Sequence, residues 1–383
     1  MSETIEKFTI RVPEEDICDL MTRIDQTRWP DQLPDTGWEY GVNPDWVREL
    51  ANYWAKEFDW KAAENWLNSF NHITTKIDGQ KIHAIYERSP EPNALPLVLS
   101  HGWPGSIVEF LDVIGPLTNP IAHGGDPSDA FHVIIPSLPG YGWSGPTSDR
   151  GWGPTRMART FIQLTERLGH KRYGVQGGDW GSIISQEMAR LNSKNIVGCH
   201  VNMITTQAPG ESDDMDNLTD FEQRTFDRAL WYQAEDNGYF RIQQTRPQTI
   251  STGLNDSPAG LLAWIGEKFY GWTDHDGDPF TAINRDTLLT NVSVYWFTNT
   301  INSAARVYFE FMRTLEQGFG TTGNVPLGVS IFPHELFASR KSWVEKAHNL
   351  VFWSEHNRGG HFAALENPEI LVEDIRTFFR NVR

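Results

Sequence analysis

The feature that most constrains the fold is a series of apolar runs without alternation: LPLVLS (95–100), FHVIIPS (131–137), RYGVQG (172–177), NIVGCHVNM (195–203), VPLGVSIF (325–332) and NLVFWSE (349–355). A strand with one wet face alternates with period two, so continuous runs suit strands covered on both faces. Helical stretches lie between several of them: MARTFIQLTERLG, SIISQEMARLNS, SWVEKAHN and, at the end, PEILVEDIRTFFRNV. Strand and helix in alternation predict an α/β protein with a mostly parallel, doubly wound sheet.

Two regions depart from that rhythm. Ahead of it, FTIRV alternates as a short strand, and PEEDICDLMTRIDQTRWP sets Ile17, Leu20, Met21 and Ile24 on one helical face. Asn43-Pro44-Asp45 opens a second helix, predicted to bury Trp46, Leu50, Tyr53 and Trp54. HITTKIDGQKIHAIYE then alternates about Asp78-Gly79, a strong hairpin signal. Inside the α/β pattern, residues 206–324 carry only helical, Trp- and Asp-rich segments: FEQRTFDRALWYQAEDN, SPAGLLAWIGEKFYGW and LLTNVSVYWFTNTINSAARVYFEFMRTL. An insertion of that length is too long for a loop and reads as a lid. The expected organisation is an N-terminal meander over 1–90, a core in two parts, 91–205 and 325–383, and a helical cap over 206–324.

The charge excludes some functions. Among 383 residues, 33 basic and 50 acidic side chains give −17, a field that repels phosphate backbones and anionic membrane surfaces, so nucleic acid is not an expected partner. Cys18 and Cys199 suggest neither a disulfide framework nor a thiolate metal site, and read as free thiols in a reducing compartment. The first residues, MSETIEKFTIRVPEED, hold no apolar stretch fit for a signal peptide or a spanning helix, nor does the rest of the chain. A soluble, cytoplasmic protein is expected.

Gly177-Gly178-Asp179-Trp180-Gly181 follows a strand run and precedes a helix, the context of the G-x-S-x-G nucleophile elbow of α/β-hydrolases, with Asp179 in the serine position. A carboxylate is ionised at neutral pH and needs no base to attack. On a carbonyl it would form a costly anhydride; on a saturated carbon it forms an ordinary ester that water can cleave. The substrate should therefore carry an electrophilic sp3 carbon bearing a strained ring oxygen or a halide. A base for the water is expected at His361, in Arg358-Gly359-Gly360-His361-Phe362 after the last run, and an acid to orient it at Glu335, in Phe332-Pro333-His334-Glu335. Glu355 and His356 stay open as alternatives. In His101-Gly102-Trp103-Pro104, the Trp103 amide would join that of Trp180 as the oxyanion hole, and Trp103, Trp180 and Phe362 are expected to line the substrate pocket.

Taken in order, NPDWVREL, WLNSF, HGWPGSIVEF, PSLPGYGWSG, GGDWGS, LNDSPAGLLAWIGEKF, LLTNVSVYW, FPHEL and RGGHFAALENPE resemble the microsomal-type epoxide hydrolases over nearly the whole chain. The resemblance implies an N-terminal segment wrapping the core, an α/β-hydrolase domain and a helical cap. It implies addition of water to a small apolar epoxide through an aspartyl ester, without metal or organic cofactor. It assigns Asp179 as nucleophile, His361 as base, Glu335 as its acid, and Tyr239 (NGYFRIQ) and Tyr308 (ARVYFEF) as cap proton donors. Phenols suit that role, because an opening epoxide develops an alkoxide far more basic than a phenolate. The anchor of the membrane-bound relatives is missing here, so no membrane anchor is expected. Two other readings stay open: a dehalogenase, whose halide the Trp180 indole would hold, and a non-catalytic small-ligand receptor. The residues leave a homodimer open, as well as which epoxide is used and whether the role is detoxification, catabolism or biosynthesis.

Overall fold

The structure, a computed structural model, describes residues 4–206, 215–314, 322–337 and 339–383. The apolar runs form the centre of one sheet. Its strands are β1 (Glu6–Phe8), β2 (His72–Ile77), β3 (Gln80–Glu87), β4 (Leu95–Ser100), β5 (Phe131–Pro136), β6 (Tyr173–Gly177), β7 (Ile196–Val201), β8 (Leu327–Ile331) and β9 (Leu350–Glu355), in the order β1-β2-β3-β5-β4-β6-β7-β8-β9. From β5 to β9 every neighbouring pair is parallel, and β3, β2 and β1 extend the sheet beyond β5 through successive antiparallel pairings. All residues of β4, β5, β6 and β8 are buried, as continuous apolar runs require. The last run departs from this: among the described residues β9 pairs with β8 alone, lies at the sheet edge, and leaves Val351 47% exposed.

The N-terminal expectations hold in outline. Asp78 and Gly79 take φ values of 50° and 80°, the two positive angles a tight two-residue hairpin turn needs. The helix Pro44–Lys56 starts where predicted, with Asn43 Oδ1 accepting from the Asp45 amide at 2.9 Å; Leu50 and Trp54 are buried, while Trp46 and Tyr53 are only half-buried. FTIRV is corrected. The paired strand is Glu6–Phe8, and beyond it the backbone bonds to side chains instead: Ile10 N–H donates to Asn68 Oδ1 (2.9 Å) and Val12 N–H to Glu64 Oε2 (2.6 Å). Met21 is also corrected: the buried stripe of helix Glu14–Asp25 is Ile17, Leu20 and Ile24, and Met21 at its margin is exposed.

Between β7 and β8 the described elements are helices. LLTNVSVYWFTNTINSAARVYFEFMRTL is two of them, Arg285–Thr298 and Ile301–Thr314, because Asn299 takes the left-handed conformation at φ 56° and ends the first; Leu315 lies outside the described residues. Helices Gly238–Thr245 and Pro247–Leu254 had not been anticipated, although Pro247 at a first helical position is a start signal. The N-terminal segment holds this insertion from the side. Arg23 pairs with Asp256 at 2.7 Å, Tyr53 donates to Asp286 Oδ1 at 2.9 Å, the buried Trp54 Nε1 donates to Ser293 Oγ at 3.0 Å, and Trp38 stacks on Tyr270. Among the described residues no helix is long and apolar enough to cross a membrane.

Candidate active site

The predicted acid, base and nucleophile stand on turns that leave parallel strands at their carboxyl ends, where open α/β sheets place their ligands. After β6, Asp179 takes φ 49° and begins the helix Asp179–Leu191. That left-handed conformation is strained for a side chain with a Cβ and persists because its surroundings leave no alternative. Strand and helix meet too closely for anything but hydrogen at Gly181, where a Cβ would lie 1.7 Å from Ser100 O. After β4, a Cβ on Gly102 would lie 2.0 Å from Asp179 Oδ1, so glycine lets the His101–Pro104 turn run against the carboxylate. The Trp103 amide donates to Asp179 Oδ1 at 2.8 Å, and the Trp180 amide stands one residue on in the first helical turn.

His361, in the loop after β9, sets Nε2 3.5 Å from Asp179 Oδ2 and Nδ1 2.8 Å from Glu335 Oε1. Both His361 and Glu335 are buried. Glu335 Oε1 also accepts the Leu336 amide (2.6 Å), and the His361 amide donates to Trp272 O (3.0 Å), tying this loop to the inserted helix Pro258–Trp272. Burial alone would lower the His361 pKa; the Glu335 charge and the Glu335 and Asp179 hydrogen bonds outweigh it and hold the imidazole well above its usual value. The alternatives Glu355 and His356 stand elsewhere: Glu355 accepts from Trp353 Nε1 (2.8 Å), and His356 Nε2 pairs with Asp374 Oδ2 (2.6 Å).

Facing Asp179 from the insertion are Tyr239, in the first turn of Gly238–Thr245, and Tyr308, in Ile301–Thr314. Trp103 stacks on Tyr239 with ring centres 4.8 Å apart and meets Tyr308 edge-on; Trp180 also meets Tyr308 edge-on, at 4.7 Å. The Tyr239 hydroxyl bonds that of Tyr232 at 2.9 Å, whereas among the described residues the buried Tyr308 hydroxyl makes no well-formed hydrogen bond, with the Trp180 indole beside it as a potential donor to its oxygen. Burial first, with nearby Asp179 adding to it, pushes both phenols well above their ordinary pKa, so both remain O–H donors.

Comparison with known proteins agrees with this arrangement. The family model "Epoxide hydrolase N terminus" matches residues 5–110, and the model "alpha/beta hydrolase fold" matches residues 96–255. A Stigmatella aurantiaca homologue is 43% identical over 99% of this chain and 86% of its own. Epoxide hydrolase 1 of Oryctolagus cuniculus is 37% identical over 98% of this chain and 89% of its own. The solved structure of Aspergillus niger epoxide hydrolase superposes with a TM-score of 0.89 at 34% identity, over 99% of this chain and 97% of that one. The chain belongs to the epoxide hydrolase family.

In this epoxide hydrolase two cavities meet at Asp179. The larger, about 240 Å³, lies between Asp179 and the tyrosines and is lined largely by apolar side chains such as Ile183, Met203, Phe240, Phe311 and Phe337. Of the three expected pocket residues, Trp180 lines it; Trp103 and Phe362 line the smaller cavity beside His361. Sequence reasoning missed Tyr232, whose spacing of seven from Tyr239 is a one-face helical signal, and the apolar lining contributed by several elements.

Proposed function

We propose that this enzyme converts a small apolar epoxide and water to a vicinal diol through a 2-hydroxyalkyl ester of Asp179, with residues 206–324 acting as the cap that carries the proton donors. One observation carries the reading: a single, mostly apolar cavity has a carboxylate on one wall and phenol groups on the other, as opening an uncharged strained ether requires.

Oδ1 of Asp179 is held by the Trp103 amide, which leaves Oδ2 to attack a ring carbon. The carbon–oxygen bond breaks away from it, and the ring oxygen takes a proton from a phenol. Tyr308, whose O–H is donated to no described residue, is the better placed donor, and Tyr239, steadied by Tyr232, donates a second hydrogen bond. Ester formation removes the Asp179 charge that favoured protonated His361, so the imidazolium gives its proton to the phenolate and becomes the base. His361 Nε2 then takes a proton from water, whose oxygen adds to the ester carbonyl carbon, and the oxyanion is held by the Trp103 and Trp180 amides. The adduct releases the alkoxide, which takes the proton from His361. The carboxyl proton left on Asp179 returns to His361, and the starting state is restored.

The buried indole N–H of Trp180, which makes no well-formed hydrogen bond among the described residues although it stands beside the Tyr308 hydroxyl, favours a second reading, displacement of a halide by the same carboxylate. Wild type and Asp179→Ala incubated with racemic styrene oxide and with a 1-haloalkane separate the two. Diol from wild type alone supports epoxide opening, with at least about 10⁴-fold lost on removing the nucleophile. Halide release without diol overturns it in favour of dehalogenation.

A further inference from the structure

Glu109 is a half-buried residue whose inward-facing carboxyl group the mechanism above does not use. In the short turn Ile107–Phe110, it lines the smaller cavity with Asp179, Asn202 and His361. That cavity has about 10 Å³ for the centre of a water-sized sphere, the room of a single water molecule. Asp179 is the residue it shares with the larger, substrate-sized cavity, so a molecule held there approaches the carboxylate without crossing the space an alkyl group would fill.

The chain makes room for this carboxyl group at some cost in choice of residue. A Cβ at position 105 would lie 1.5 Å from Glu109 Oε1, so Gly105 is what lets Glu109 reach inward. The Gly102 amide donates to the carboxyl group, burial pushes its pKa up to about 8, and Asp179 pushes in the same direction while His361 opposes it. Asn202 is fixed from behind: its amide N–H donates to Gly177 O (3.2 Å), and Gln176 Nε2 donates to its Oδ1 (2.9 Å), leaving the Nδ2 hydrogens for the cavity it lines. A water there has His361 Nε2 and a Glu109 oxygen as acceptors for its two hydrogens, and Asn202 Nδ2 as a donor to one lone pair. The remaining lone pair is the one that must reach the ester carbon.

We infer that Glu109 and Asn202 hold and orient the water that cleaves the Asp179 ester. The inference rests on the ester reading above and adds no new bond change to it: the water gives one proton to His361, its oxygen bonds to the ester carbonyl carbon, and the bond from that carbon to the alkyl oxygen breaks.

The test is a single-turnover experiment with styrene oxide on wild type, Glu109→Gln and Gly105→Ala, following tryptophan fluorescence for ester formation, diol by rapid quench, and intact protein mass. Glu109→Gln keeps the shape and loses the carboxyl group; Gly105→Ala keeps the carboxyl group and displaces it, and carries the test if the first variant fails to fold. Ester formation should stay within about twofold of wild type while ester cleavage slows by about 10²-fold, the scale of a misplaced reactant, so that protein one styrene oxide heavier accumulates and kcat and KM fall together. Unchanged cleavage in both variants overturns the inference, as does an equal loss in both steps, the mark of a merely structural role. His361→Gln serves as the control for the underlying reading: if it too accumulates no adduct, the ester itself is refuted, whatever Glu109 does.

Discussion

The candidate site has a core wall and a cap wall, and the two are built on different principles. On the core wall, Asp179, Glu335 and His361 follow β6, β8 and β9, and their positions descend from a parallel sheet and from turns with hardly any freedom, such as the φ of 49° at Asp179. On the cap wall, Tyr232, Tyr239 and Tyr308 project from helical segments and are held by rings: Trp103 stacked on Tyr239, and Trp180 against the edge of Tyr308. Main-chain geometry places the charged groups, and side-chain packing places the neutral donors. Damage to the core wall should therefore stop one chemical step outright, whereas damage to the cap wall should be graded, since in the proposed mechanism two phenols share one task.

The largest effect that bears on this contrast is expected from His361→Gln. Turnover should fall by about 10³-fold, within the range of general-base catalysis, with ester formation spared and the adduct visible by intact mass. A similar loss in ester formation would show that the core wall does not divide the steps. Next come the tyrosines. Tyr308→Phe should slow ester formation by about 10²-fold and Tyr239→Phe by about tenfold, because the Tyr239 hydroxyl is engaged with that of Tyr232 whereas the Tyr308 O–H is donated to no described residue. Transient fluorescence measures both, and equal losses would erase the distinction.

The smallest effect tests the electrostatics of the core wall. The folded pKa of His361 is raised, so its protonated form adds stability that is complete below about 6.5 and is lost as pH rises through the folded pKa. Asp179→Asn removes one of the two carboxylates responsible. The imidazole titration, followed by NMR, should move down toward its usual value, and the pH at which that stability is lost, read from denaturant melts, should move down with it. An unmoved titration would assign the whole shift to Glu335.

Much of the core wall was legible beforehand because its demands fall on consecutive residues. Continuous apolar runs, Asp78-Gly79 at a hairpin and Gly177-Gly178-Asp179-Trp180-Gly181 at an elbow each state a local backbone requirement. The errors fell where local pattern gave way to distant partners. FTIRV alternates like a strand, yet its last residues bond to Asn68 and Glu64 side chains more than fifty positions away. The last apolar run looks like its predecessors, yet among the described residues it lies at the sheet edge with β8 alone beside it, a matter of tertiary pairing that its own residues do not record.

The same division runs through the candidate site. The sequence by itself determined the order of strands and helices, the tight turn that lifts Asp179, and the residue types of the chemistry, since these depend on propensity and steric limits within a few neighbouring residues. Tertiary structure alone decided that Glu335 rather than Glu355 meets His361, that the Tyr239 hydroxyl meets that of Tyr232, and that Gly105 opens a place for Glu109 beside a cavity the size of one water. Each of these is a meeting between side chains brought together from separate elements. A hydrogen bond exists or fails over a few tenths of an ångström, and that distance is set by how the packed elements settle against one another, which no local pattern records.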